Sequence, residues 1–311
     1  MKILVVGAGA LGGYFGARLL DAGLDVTFLV RAGRAAQLRQ HGLRIKSVRG
    51  DLALNAPPHL LSEQIAQHYD LVIVGCKAYD LDATMASFAA AVGPNTLILP
   101  LLNGMRHLDQ LSARFGAARV LGGLCLISAT LDADGTVLHL NDFHGLVFGE
   151  LDGAASPRVT ALAEAMAGAN FDARVSTEIR LELWEKWIFI ASLAGATCLM
   201  RGAVGDIVAS GNVGIANALQ AECSAIATNQ GHAPRAAATE RFHALLTAPG
   251  SPLTASMLKD LERGGAIEAD HVIGDLLARD AVGATPLLKV VYAHLKTYEA
   301  RRHREAATTT T

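Results

Sequence analysis

The stretch Lys2-Ile3-Leu4-Val5-Val6-Gly7-Ala8-Gly9-Ala10-Leu11-Gly12 decides the fold. Its first five residues form a short, apolar, partly β-branched run of strand type that ends in G-x-G-x-x-G. Beyond Gly12, the residues Tyr14, Phe15, Leu19 and Leu20 interrupt small residues at helical spacing, and Asp21-Ala22-Gly23 closes the helix. Leu24–Val30 then reads as a second strand. A strand, the glycine motif, a helix and a strand follow one another within about thirty residues, the context that gives the motif meaning. The first glycine permits a tight turn, the second lets a pyrophosphate approach the backbone, and the third allows close helix–strand packing. The helix N-terminus adds N–H donors and a positive dipole end. Gly7, Ala8, Gly9, Ala10, Leu11 and Gly12 are therefore expected to hold a dinucleotide. The plainer alternative is a glycine-rich turn in a Rossmann-like domain without nucleotide.

The end of the second strand discriminates between dinucleotides. An NAD site places Asp or Glu about 20 residues on, to hold the ribose 2′-hydroxyl. Here the strand ends in Val30-Arg31-Ala32-Gly33-Arg34, with Arg31 nineteen residues after Gly12 and no acid beside it. A guanidinium there suits a 2′-phosphate, so NADP(H) is the expected cofactor. A pair of solvated arginines would explain their presence but not the missing acid.

Working outward, Asp70–Cys76 is a near-continuous apolar run that leads into Lys77, and Thr96–Leu102 is another that leads into Asn103-Gly104. Such runs suit parallel strands buried on both faces, and ligands bind at the carboxyl ends of those strands. Lys77 and Asn103 thus belong to one predicted cleft with the glycine loop. After Val120 the chain reads as shorter strands, with Val137–Leu140 and Gly145–Gly149 flanking turn residues, and a last strand near Ala173–Val175. From about Glu178 the periodicity is helical almost throughout. The expected class is α/β: an N-terminal Rossmann-type doubly wound sheet over residues 1–177, an all-helical domain over 178–306, and a frayed tail over 307–311.

Composition narrows the function classes. The 311 residues exceed one ordinary domain, which fits the two-domain division. With 27 basic against 29 acidic residues, no global field favours nucleic acid or an anionic membrane. Four dispersed cysteines without a C-x-x-C pair argue against a disulfide scaffold or a cysteine-based zinc module. The eleven histidines show no metal-ligand spacing, so no metal is expected. Glycines interrupt the N-terminal uncharged stretch, which disfavours a signal peptide, and the fourteen-residue run Trp187–Met200 is too short to span a bilayer. The expectation is a soluble, cytoplasmic protein.

The chain resembles the ketopantoate reductases (2-dehydropantoate 2-reductases) over essentially its whole length. The carriers are Gly7–Gly13, Lys77-Ala78, Asn103-Gly104-Met105, Glu182-Leu183-Trp184-Glu185-Lys186, and Ser256–Asp260 with Glu268 twelve residues after the serine. The resemblance implies an interdomain cleft holding NADPH and a 2-oxo acid, a link to pantothenate biosynthesis, and a homodimer. By position, Lys186 matches the catalytic lysine, and Glu268 a carboxylate that interacts with that lysine and the cofactor ribose. Ser256 matches a hydroxyl that binds the substrate carboxylate. Asn103 matches an amide near the nicotinamide, at the meeting of cofactor and substrate, while Lys77 and Ala129 match cofactor contacts.

One departure bears on substrate. Relatives place asparagines four, eight and eighteen residues after the lysine, where this chain has Ile190, Ala194 and Val204. The first two offsets share a helix face with Lys186, so a coherent substrate wall becomes apolar. An apolar wall cannot supply the discrimination that a site built for a substrate hydroxyl achieves. The expected substrate is a 2-oxo acid with a more apolar tail, unless other residues replace the amides. Two further readings remain open on this fold: a non-catalytic NADP(H)-binding sensor, and an oxidoreductase for another alcohol or an imino acid.

Overall fold

Lys2–Val6 forms β1, the central strand of a five-stranded parallel sheet in the computed structural model, which describes residues 1–309. The other strands, in chain order, are β2 (Asp25–Leu29), β3 (Leu43–Lys46), β4 (Leu52–Leu54), β5 (His59–Leu60), β6 (Tyr69–Val74), β7 (Val92–Pro100), β8 (Leu121–Leu131), β9 (Val137–Glu150) and β10 (Asp172–Val175). The parallel sheet runs β5-β2-β1-β6-β7, with Val5 opposite Phe28 on one side and Ile73 on the other. Ile3, Leu4, Val5 and Leu71–Val74 are wholly buried, as the unbroken apolar runs require of strands covered on both faces. Five helices accompany these strands: α1 (Ala10–Asp21), α2 (Ala32–His41), α3 (Leu81–Phe88), α4 (Arg106–Phe115) and α5 (Pro157–Met166).

A second sheet, β10-β9-β3-β4 with β8 paired to β9, carries the later strands. The sequence suggests two short strands separated by a turn around residues 141–144; instead β9 is one fourteen-residue strand. The polar residues there do not turn the chain because Asn141 Oδ1 accepts the Ser128 N–H across the ribbon, at 2.9 Å, where the β8–β9 register shifts. The actual reversal is at Asp132–Thr136, where Asp132 Oδ1 accepts the backbone N–H groups of Asp134 and Thr136. A short polar side chain bonding its own backbone is an established way to stabilise a turn.

The chain divides into two compact units: residues 1–102 with 107–180, and Asn103–Arg106 with the chain from Leu181 onward. The division thus falls at 180/181 where the sequence suggests 177/178, and Asn103–Arg106 belongs to the second unit, not the first. The second unit is helical, with α6 (Ile179–Met200) entering it, followed by α7 (Val204–Ala209), α8 (Val213–Asn229), α9 (Ala236–Leu246), α10 (Ser256–Glu262), a π turn at Asp270–Gly274 continued by α11 (Asp275–Ala278), and α12 (Pro286–Thr309). The predicted frayed tail overlaps α12, whose helix runs to Thr309; residues 310–311 lie outside the described residues. By length and composition α6 could cross a membrane, but most of its apolar window is buried in the protein. Its buried hydroxyls bond within the helix, Ser192 Oγ to the Ile188 carbonyl and Thr197 Oγ1 to the Leu193 carbonyl, both at 2.7 Å. Both hydroxyl donors are thus met on a helix that also buries Trp187, Ala191 and Cys198.

Candidate active-site residues in the two units

The glycine loop has the geometry its motif requires. Gly7 has φ +93° and its N–H donates to the Leu29 carbonyl at 2.9 Å, which ties the loop to the end of β2. A Cβ on Gly12 would lie 2.1 Å from the Gly7 carbonyl oxygen, so the first turn of α1 closes on the loop only because Gly12 lacks one. A Cβ on Gly9 would meet nothing within 4 Å. Gly12 is therefore needed by the fold, whereas Gly9 borders open space. Gly9 is also the N-cap of α1 and offers no side chain there, and the first turn carries no acid. Ala10 and Leu11 begin α1 half-buried, and Ala8 is buried. This cradle fits the pyrophosphate of a dinucleotide.

The two arginines after β2 have separate fates. Arg34 is a strut: its Nε donates to the Ala8 carbonyl within the glycine loop at 2.9 Å, and Nη2 donates to the Gly135 carbonyl at 3.0 Å. Burial pushes the Arg34 guanidinium down from its ordinary range, opposed by Asp132. Arg31 is the N-cap of α2 and its side chain is 74% exposed; it pairs with Asp80 at 3.3 Å. Lys77 is half-buried just beyond β6, at the start of a short 3₁₀ turn (Ala78–Asp80). Ala129 lies in the second sheet, opposite His139 on β9.

In the helical unit, the middle of α6 has one opening. From Leu183 to Cys198 every residue is buried except Lys186, Phe189 and Ile190, which lie three and four apart and share one face. Phe189 stacks on Phe242 with 4.9 Å between ring centroids. Ala194 and Val204, expected beside Ile190, are only 3% and 1% exposed, and Val204 begins α7 with its N–H on the Leu253 carbonyl. Of the three residues at the asparagine positions, Ile190 alone keeps accessible surface. Ser256 is exposed in the first turn of α10. The preceding Ala255 N–H reaches Thr197 Oγ1 of α6 at 3.4 Å, which ties that helix start to α6.

Asn103 and Gly104 pack on the segment that carries Glu268. Gly104 has φ +77°, and a Cβ there would sit 3.1 Å from the His271 carbonyl oxygen. The buried His271 side chain bonds the Asn103 backbone. Burial lowers the His271 pKa, opposed by the Glu268 carboxylate and that bond. His271 starts within the π turn, whose Val272 carbonyl accepts the Trp187 indole N–H at 2.8 Å. A π turn marks a functional segment often enough to be informative. The structure thus gathers Asn103, Glu268 and His271 in one place, of which His271 was not singled out by sequence. Its only signal is its place three residues after Glu268.

A cavity of about 650 Å³ in the first unit is lined by Leu108, Ser112, Glu150, Ser156, Arg158 and Arg180, among others, and by none of the residues above. Its buried Glu150 is already bonded to Arg158 and Ser156, so it offers no unpaired reactive group. Burial pushes the Cys198 and Cys223 thiols up to about 12, far from the reactive thiolate range.

The chain matches the family model described as Ketopantoate reductase PanE/ApbA over residues 3–153, and the model of its C-terminal part over residues 178–299. It is 39% identical over 305 residues to an uncharacterized oxidoreductase of Bacillus subtilis, covering 97% of this chain and all of that one. It is 29% identical to a 2-dehydropantoate 2-reductase of Archaeoglobus fulgidus, with 89% of this chain and 90% of the relative covered. The crystal structure of 2-dehydropantoate 2-reductase from Geobacter metallireducens superposes with a TM-score of 0.87 at 28% identity, covering 96% of this chain and 99% of that one. The chain belongs to the ketopantoate reductase family of oxidoreductases.

Proposed function

We propose that this family member is an NADPH-dependent reductase that converts a 2-oxo acid with an apolar tail to the 2-hydroxy acid. The observation that carries the reading is the opening in the middle of α6, where the half-buried Lys186 shares one helix face with the half-buried Phe189 and Ile190, both apolar. When bound, the nicotinamide would supply the hydride for the substrate carbonyl carbon. Lys186 donates a hydrogen bond and then a proton to the carbonyl oxygen as alkoxide charge develops. Glu268 is the carboxylate that would meet Lys186 and the cofactor ribose. The exposed Ser256 hydroxyl receives the substrate carboxylate, and Asn103 positions the nicotinamide end. Gly7–Gly12, Lys77 and Ala129 would hold the rest of the cofactor, and Arg31, without an acid beside it in sequence, would meet a 2′-phosphate.

The apolar wall rests on Ile190 with Phe189, since Ala194 and Val204 are buried. Such a wall leaves a substrate hydroxyl unpaired and favours aliphatic or aromatic tails. The protein on this reading is a soluble cytoplasmic homodimer. Replacing Lys186 by Ala tests the assignment. Turnover should fall by roughly 10²–10⁴, as for loss of a general acid, while NADPH binding is kept. Turnover within a few-fold of the parent would refute it.

A further inference from the structure

Asp80 occupies a position at which an aspartate ordinarily caps a helix. It is the N-cap residue of α3, and Asp is among the residues most favoured there because its carboxylate accepts the first free N–H groups. Yet the Asp80 side chain makes no capping bond and reaches instead to Arg31, with 3.3 Å between Oδ2 and Nη2. The turn that aims it is fixed by the Asp80 N–H donating to the Lys77 carbonyl at 3.0 Å. Arg31 follows β2 and Asp80 follows β6, and these strands flank β1 on either side in the sheet. The ion pair therefore bridges the carboxyl end of β1, where the glycine loop begins.

We infer that Asp80 is a specificity-determining residue for the cofactor, an internal anion held on Arg31 that a 2′-phosphate must displace. This rests on the dinucleotide reading above. Where an NAD enzyme places an acid at the end of the second strand, this chain brings one to the same point from the end of β6. A 2′-phosphate meets two costs here: the Arg31–Asp80 pair must open, and a carboxylate stays near a dianionic group. A ribose 2′-hydroxyl meets neither, so the pair narrows the preference for NADPH over NADH. With 74% and 37% of the two side chains exposed, the pair is weak enough to open and screened by salt.

The test is titration calorimetry of the full chain with NADPH, NADH and 2′,5′-ADP, for the parent, Asp80→Ala and Asp80→Asn. Both substitutions should tighten NADPH and 2′,5′-ADP by about three- to tenfold and leave NADH within about twofold. The gain should shrink at high ionic strength, which a merely structural effect would not do. Asp80→Asn keeps the size of the side chain, so the expectation survives if the alanine variant folds poorly. Unchanged or weaker NADPH binding in the asparagine variant would show that Asp80 instead orients Arg31 for the phosphate, and would overturn the inference. A parent protein that binds neither dinucleotide would overturn the cofactor reading itself, a result distinct from failure of the Asp80 role.

Discussion

Glu185 of α6 holds Arg235, the residue that precedes α9, through both carboxylate oxygens: Oε1 accepts the Arg235 backbone N–H at 2.9 Å and Nε at 2.8 Å, and Oε2 accepts Nη2 at 2.5 Å. The carboxylate is 4% exposed and adjoins Lys186 in sequence, so this pair fixes one side of the helix from which the lysine projects. Truncating Arg235 would strand a buried charge. Arg235→Ala should cost about 2–3 kcal/mol in urea unfolding, at or below the lower end of the buried-pair range because the guanidinium side is half in water. Adding Glu185→Gln should recover part of that loss. Additive losses in the double variant would contradict the account.

Two glycines of the same loop should fail in different ways. An alanine at Gly12 would put its methyl against the Gly7 carbonyl, so Gly12→Ala should lower the melting temperature and nucleotide affinity together. The space beside Gly9 is open, so Gly9→Ala should melt within a degree or two of the parent while losing at least about tenfold in NADPH affinity. Equal affinity in Gly9→Ala would place the pyrophosphate elsewhere.

Acid should release part of the stability of the first unit through Glu150. The Arg158 guanidinium, bonded to both Glu150 oxygens, holds this carboxyl below its ordinary value of 4.5, and Ser156 adds to the effect against burial. A depressed folded-state pKa contributes stability that is present above the unfolded value and lost as pH falls through the folded one. The loss therefore lies below about pH 4.5. Glu150→Gln should be less stable than the parent by about 1–2 kcal/mol at pH 7, with Arg158 partly exposed, and the gap should close toward pH 3. Denaturant midpoints at the two pH values measure it; a gap that widens in acid would be the wrong sign.

The fold was legible where local chemistry and tertiary demand agree. The apolar runs of β1 and β6 are what burial on both faces demands, and the glycine spacing reflects a contact, Gly12 on Gly7, that no other residue permits. The continuity of β9 was not legible, because Asn141-Asp142 looks like a turn until the Ser128 N–H supplies Asn141 with a cross-strand partner. At the site, Lys186 and Ile190 could be placed on one face from spacing alone. Val204 begins α7 and is tied to the segment around Leu253, and Ala194 is buried within the helical unit, neither of which spacing carries. Asp80 and His271 escaped for the same reason: an N-cap aspartate and a mid-helix histidine acquire meaning only from Arg31 and Asn103, distant in sequence.

Lys186 and its apolar neighbours Phe189 and Ile190 should act on a 2-oxo acid with an apolar tail. The most direct measurement is the steady-state kcat/KM for NADPH oxidation with a panel of 2-oxo acids bearing branched aliphatic or aromatic tails, beside ketopantoate. At least one apolar 2-oxo acid should exceed ketopantoate by about tenfold or more, the scale of a single methylene in an apolar pocket. Efficient turnover of ketopantoate above every apolar member would contradict it, as would the absence of turnover with any 2-oxo acid.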